Sequence, residues 1–145
     1  MNTPLIERAR PGDFGEIEDL LRGSGLPIGG AREHLEHFFV AREGGTLAGV
    51  IGLEQYGGEG LLRSLVVRES HRSKGIGNTL YLRVIDESRS LGIERLILLT
   101  TTAEAYFAAR GFRNVARSTI KGALGHSAEF TGACPESALC MELVL

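Results

Sequence analysis

The chain has no tryptophan, two cysteines and four prolines in 145 residues. Two cysteines, Cys134 and Cys140, cannot build a disulfide framework, so a disulfide-stapled scaffold is excluded and both are expected as thiols in a reducing compartment. No apolar run approaches the roughly 20 residues of a membrane-spanning helix. The start, MNTPLIERAR, has neither the basic cluster nor the apolar stretch of a secretory signal. The expectation is a cytoplasmic protein with no membrane partner. An excess of one charge is also lacking: the formal net charge is −2, without the basic stripe that nucleic acid would require. His34 and His37 have no third ligand nearby, so no metal site is expected. Repeats, linkers and low-complexity segments are missing as well, which leaves one domain of residues 1–145 around one core.

Glycine is abundant, with 20 residues placed mostly where elements end. Residues 5–10 read as a strand. Asp13 reads as a helix N-cap with Glu16 three residues on, and Phe14, Ile17, Leu20 and Leu21 then recur at helical spacing. Residues 26–37 read as loop with room for one short helix. Strands follow at 38–42, 47–55 and 60–68, then a long helix at 75–91, a strand at 96–100 and a short helix at 103–110. Strands at 112–117 and 138–145 close the chain, with an irregular stretch between them. The order β-α-(α)-β-β-β-α-β-α-β-β points to an α/β fold, an α+β sandwich around one mixed, largely antiparallel sheet.

The chemistry concentrates in LLRSLVVRESHRSKGIGNTLYLRVIDE, residues 61–87. A strand runs into a short polar loop, and the loop opens a helix at Gly75-Ile76-Gly77. A helix start offers unpaired N–H groups and the positive end of the dipole, and glycines there let a phosphate approach the backbone. Arg72 and Lys74 add positive charge. A P-loop is ruled out because Lys74 precedes its glycine. A dinucleotide fingerprint is ruled out because Leu80 stands where the third glycine belongs. Arg72-Ser73-Lys74-Gly75-Ile76-Gly77 fits the remaining pattern, Arg/Gln-x-x-Gly-x-Gly/Ala, with Asn78 next in the first turn.

That segment resembles motif A of the GNAT superfamily of N-acetyltransferases. The short helix followed by Gly111-Phe112 resembles the same family's motif B. The resemblance implies a central sheet splayed at strands 4 and 5, and acetyl-CoA as cosubstrate with its pyrophosphate on residues 72–77. It also implies that the backbone of Leu65-Val66-Val67 holds the pantetheine arm. The family's usual acid, a tyrosine four residues before the glycine, is replaced by Phe107. Tyr106, one residue earlier, is the substitute candidate, and its alternative is a packing residue with a surface hydroxyl. Thr100 stands where an asparagine is frequent and could bond the CoA arm. The phrases EHLEHFFVA, GVIGLE, GLLRSLVV, LLTTTAEAYFAARGF and CPESALCM resemble the branch that accompanies arsenic-resistance genes, which implies a small organoarsenical or similar amine as acceptor.

Direct attack on the acetyl group needs a neutral amine, so a base is expected. Glu54, at the end of an apolar strand, is the candidate. Arg63, a charge within an apolar strand, needs a partner or a wet cleft. It is either a grip for a substrate oxyanion or an internal partner of Glu54 or Glu59. Ser64 is expected on the opposite face, and Ser64 and His37 complete the candidate acceptor residues. The partner expected is a small-molecule amine, and a homodimer is allowed. A peptide acetyltransferase and a non-catalytic CoA-binding or arsenical-sensing module stay open as alternatives.

Overall fold

The computed structural model describes residues 4–145; residues 1–3 of the expected domain lie outside the described residues. Seven strands form one sheet in the order β1-β2-β3-β4-β5-β7-β6. They are β1 (Leu5–Arg8), β2 (Phe38–Glu43), β3 (Thr46–Tyr56), β4 (Glu59–Val67), β5 (Arg95–Thr100), β6 (Arg113–Val115) and β7 (Leu139–Val144). Only β4 and β5 run parallel; every other pair is antiparallel. No helix among the described residues is long and apolar enough to cross a membrane.

Strand alternation sends each residue set to its own layer. Phe39, Ile51, Leu53, Leu62, Leu96 and Leu98 pack with α2 (Ile76–Ser90), which lays Ile76, Leu80 and Val84 on the sheet at helical spacing. Phe38, Val40 and Val50 point the other way, against Phe14, Ile17 and Leu21 of α1 (Phe14–Gly23). Beyond α1 that second face is covered by the irregular stretch, whose Ile120 and Leu124 meet Leu61 and Ile97. α3 (Glu104–Ala108) is shorter than expected, one turn that places Phe107 in the α2 layer. Asp13 does not cap α1; its carboxylate accepts the Arg10 N–H at 2.8 Å, within the 3-10 turn that leads into the helix.

One irregularity decides the geometry of the site. β3 and β4 pair Gly52 with Arg63 but Val50 with Val66, so Ile51 faces two residues. This is a β-bulge at Ser64 and Leu65, with Ser64 at φ 63° in the left-handed region. The extra residue reverses the parity of β4. Leu61 and Arg63 share the face of Glu54 and Tyr56, while Val66 reaches the α1 side two positions beyond Ser64. Simple alternation, which put Ser64 opposite Arg63, therefore fails here. The Ser64 hydroxyl turns back and accepts from Arg63 Nε at 2.9 Å.

Candidate active site

Pairing between β4 and β5 ends at Leu61 and Ile97. Beyond that point the strands diverge, and the β5 side of β4 has no partner strand from Leu62 to Val67. A cavity of about 100 Å³ fills the wedge, walled by Ser64, Leu65, Leu98, Thr100 and Phe107. On one side it meets a cavity of about 580 Å³ that carries Leu65, Val66, Val67, the loop at Arg72, Ser73, Gly75, Ile76, Gly77 and Asn78, and α3. On the other it meets a cavity of about 300 Å³ between Gly25-Leu26-Pro27, Thr100-Thr101-Thr102 and Ala133-Cys134-Pro135. Leu65, Phe107 and Thr102 line both the large cavity and the wedge, and Leu26 and Thr100 line both the wedge and the cavity of about 300 Å³.

The loop that opens α2 is built to present backbone. Ser73 and Gly75 both have positive φ, at 67° and 78°, a bend that brings Gly75, Ile76 and Gly77 at the start of α2 to the wall of the large cavity. Ser73 adopts this conformation without glycine's freedom, a strain that tends to persist at functional loops. A Cβ at Gly77 would meet only Val67 Cγ2 at 3.6 Å and Tyr106 Oη at 3.9 Å, so the space above Gly77 is open to a ligand. Arg72 donates from Nε to the Val67 carbonyl at 3.0 Å. Lys74 is turned away: its amino group pairs with Glu43 at 3.1 Å and lines none of the three cavities. The expected phosphate contact from Lys74 is thus replaced by an ion pair.

A second constellation lies beneath the acceptor side. The Arg63 side chain is fully buried. Its Nη1 donates to Glu54 Oε2 at 2.7 Å and to the Gly29 carbonyl at 2.6 Å, and Nη2 donates to the Pro27 carbonyl at 3.1 Å. Glu129 stands 3.4 Å from Nε. The Tyr56 hydroxyl donates to the second oxygen of Glu54, and His34 Nε2 lies 3.5 Å from it. Glu54 is 1% exposed and lines none of the three cavities. A free base and a free oxyanion grip are thus not what these residues offer. They hold each other, and through the Pro27 and Gly29 carbonyls Arg63 fastens the 27–29 segment, whose Pro27 lines the cavity of about 300 Å³. His37 is also elsewhere: the 3-10 turn kinks at His34, and His37 Nδ1 meets Glu87 of α2 at 3.5 Å.

A sequence model of the Acetyltransferase (GNAT) family matches residues 6–112. The chain belongs to the GNAT acetyltransferases. An amino-acid acetyltransferase of Neisseria meningitidis is 30% identical over 124 residues, which cover 79% of this chain but 28% of that protein. N-acetylglutamate synthase from Neisseria gonorrhoeae, solved with coenzyme A and N-acetyl-glutamate, superposes with a TM-score of 0.84 at 24% identity, covering 99% of this chain and 35% of that one. A Mycobacterium tuberculosis protein solved with CoA superposes with a TM-score of 0.81 at 24% identity and covers 98% of this chain and 99% of that one. The chain therefore spans under a third of the first relative's length.

GNAT acetyltransferases use acetyl-CoA, and the large cavity of this chain fits it: an open glycine helix start lies beside an unpaired strand edge. Phe107 packs on Phe112 and Tyr81 and lines both this cavity and the wedge. The Thr100 hydroxyl accepts the Ala103 N–H at 2.9 Å, in the turn before α3, and Thr100 lines the wedge. The Tyr106 hydroxyl is not at the surface; it is buried and without a hydrogen-bond partner, on a residue that lines the large cavity. Glu129 was not legible as a site residue, because it lies in a stretch with no periodicity.

Burial pushes the Glu129 carboxyl up to about 7; Arg63 opposes this, and the Glu54 charge adds to it. The same burial, with Glu129 beside it, pushes the Cys134 thiol up to about 12. An unfolded glutamate titrates near 4.5, so the folded state holds an extra proton between about pH 4.5 and 7. The stability this gives is complete below pH 4.5 and is lost as pH rises through 7. Glu129→Gln keeps the neutral form at every pH. It should gain on the parent protein by on the order of 3 kcal/mol between pH 5 and pH 8. Urea unfolding of both proteins at the two pH values measures this, and a pH-independent difference would show that Glu129 is not held neutral by the fold.

Proposed function

We propose that this chain is an acetyl-CoA-dependent N-acetyltransferase in which a small-molecule amine attacks the acetyl group directly, with residues 1–145 acting as one domain. The observation that carries the reading is the set of three neighbouring cavities that share wall residues along the β4/β5 wedge, a layout that suits a donor in the large one and an acceptor in the one of about 300 Å³. The backbone from Leu65 to Val67 and the α2 start hold the donor, with Arg72, Ser73, Gly75, Ile76, Gly77 and Asn78 around the pyrophosphate. Cys134 is the strongest nucleophile lining the acceptor cavity. With its thiol pushed up to about 12 it is a neutral thiol at pH 7, which favours direct attack over an acyl-enzyme.

No carboxylate or imidazole lines that acceptor cavity. The amine therefore arrives already neutral, and the rate should climb about tenfold per pH unit until the amine's own pKa, near 10 for an alkyl amine. The acceptor class best supported is an amino acid or its analogue, since the curated relatives are amino-acid acetyltransferases. An organoarsenical or phosphorus oxyacid analogue is the finer form of this proposal, and it rests on the phrase resemblance. Enclosure of the acceptor cavity by residues 25–27 and 133–135 favours a small molecule over a peptide. Thiol release from acetyl-CoA should be followed with amino acids, oxyacid analogues, plain alkyl amines and short peptides, each at pH 6 to 9. Turnover of peptides alone, or of none of these amines, would overturn the proposal.

A further inference from the structure

Two residues that line the donor cavity each bury a polar atom without a hydrogen-bond partner: Tyr106 Oη and Arg110 Nε. Such atoms are rare in native structures and point to a partner that the protein itself does not supply. Both side chains are held in place. Arg110 Nη1 donates to the Tyr106 carbonyl at 2.9 Å and Nη2 to Asn78 Oδ1 at 3.3 Å, so both terminal nitrogens bond neutral oxygens. Its guanidinium lies over the Tyr106 ring, 3.5 Å from the centroid. Tyr106 Oη in turn lies 3.9 Å from the position a Gly77 Cβ would take, directly across from the open start of α2.

The position matters for what the hydroxyl can do. The wedge, where the acetyl group must pass to the acceptor, is lined by Phe107 and not by Tyr106. Of the two cations in the α2 loop, Arg72 lines this cavity while Lys74 is paired with Glu43. We propose that Tyr106 and Arg110 complete the phosphate site from the α3 side. Tyr106 Oη donates to a pyrophosphate oxygen above Gly77, and Arg110 supplies the compensating charge. Tyr106 is then a donor-binding residue and not the acid that protonates the departing thiolate. This rests on the acetyl-CoA reading of the large cavity.

Tyr106→Phe keeps the ring and its stacking and removes one hydroxyl. Calorimetry with CoA and with dephospho-CoA, which lacks only the 3′-phosphate, should show affinity falling by on the order of tenfold to a hundredfold for both, as for a lost hydrogen bond to a charged group. In kinetics the Michaelis constant for acetyl-CoA should rise by that factor, and saturating donor should recover the rate. With S-acetylpantetheine, which has no phosphate, the parent and the variant should have the same kcat/KM. Arg110→Met should follow the same pattern across the three donors. A penalty seen with CoA but not with dephospho-CoA would overturn the pyrophosphate assignment. Unchanged CoA affinity with about a hundredfold loss of kcat would overturn it in favour of the thiolate acid. If Gly77→Asp abolishes binding while Tyr106→Phe leaves it unchanged, this proposal fails and the loop reading stands. If neither changes affinity, the loop reading fails with it.

Discussion

Gly77→Asp is expected to abolish acetyl-CoA binding while leaving the domain as stable as before, or more so. The two effects come from the same position. Gly77 is the second residue of α2, where a carboxylate favours the positive end of the helix dipole and glycine is a poor helix former. Its Cβ has room, with Val67 Cγ2 at 3.6 Å as its nearest neighbour, and Gly77 is absent from the residues with positive φ. The folded protein should therefore accept the change. For a pyrophosphate seated over the same N–H groups, the new carboxylate is a like charge at contact distance. Two such charges 4 Å apart near a protein surface repel by on the order of 4 kcal/mol, about a thousandfold in affinity. Thermal unfolding and calorimetry on one preparation separate the effects. A stable variant with parent-like CoA affinity would remove the loop from the donor site.

The parts of this site that could be read from the sequence are those whose chemistry is local. Arg72–Gly77 announces itself because glycines, cations and a helix start are consecutive in the chain, and the apolar run of β4 leads straight into it. The splay of β4 from β5 came through the family resemblance, since nothing in the two strands' own composition says where pairing stops. The bulge at Ser64 was hidden for a related reason. LLRSLVV alternates acceptably as a regular strand, and only the pairing with β3 shows that Ile51 faces two residues. That single insertion decides that Arg63 and Glu54 share a buried face. His34 and His37 illustrate the limit of spacing: three apart, they would share a face of a regular helix, but the kink at His34 sends one to Glu54 and the other to Glu87. Glu129 comes from an irregular stretch and meets Arg63 across 66 positions of chain, a contact that no local pattern announces.

Arg63→Ala is expected to destabilise the domain by about 3–5 kcal/mol, the cost of leaving buried charges without their partner, against a total stability on the order of 5–15 kcal/mol. The guanidinium has four kinds of partner: two carboxylates, two carbonyls and a hydroxyl within the chain, and the ring of Phe38 at 5.9 Å. Its removal strands the buried Glu54 carboxylate, leaves Glu129 without its cation and frees the Pro27 and Gly29 carbonyls. The 27–29 segment, whose Pro27 lines the proposed acceptor cavity, should then loosen, so cleavage by a protease should begin near residues 25–31. Arg63→Ala combined with Glu54→Gln should regain part of the loss, because the stranded Glu54 charge is gone, whereas two independent defects would add. Urea unfolding of the parent, both single variants and the double variant tests this coupling. A substrate-gripping Arg63 makes the opposite forecast: unfolding unchanged, protease pattern unchanged, and the Michaelis constant of the acceptor alone raised. That outcome would return Arg63 from the framework of the acceptor wall to the acceptor itself.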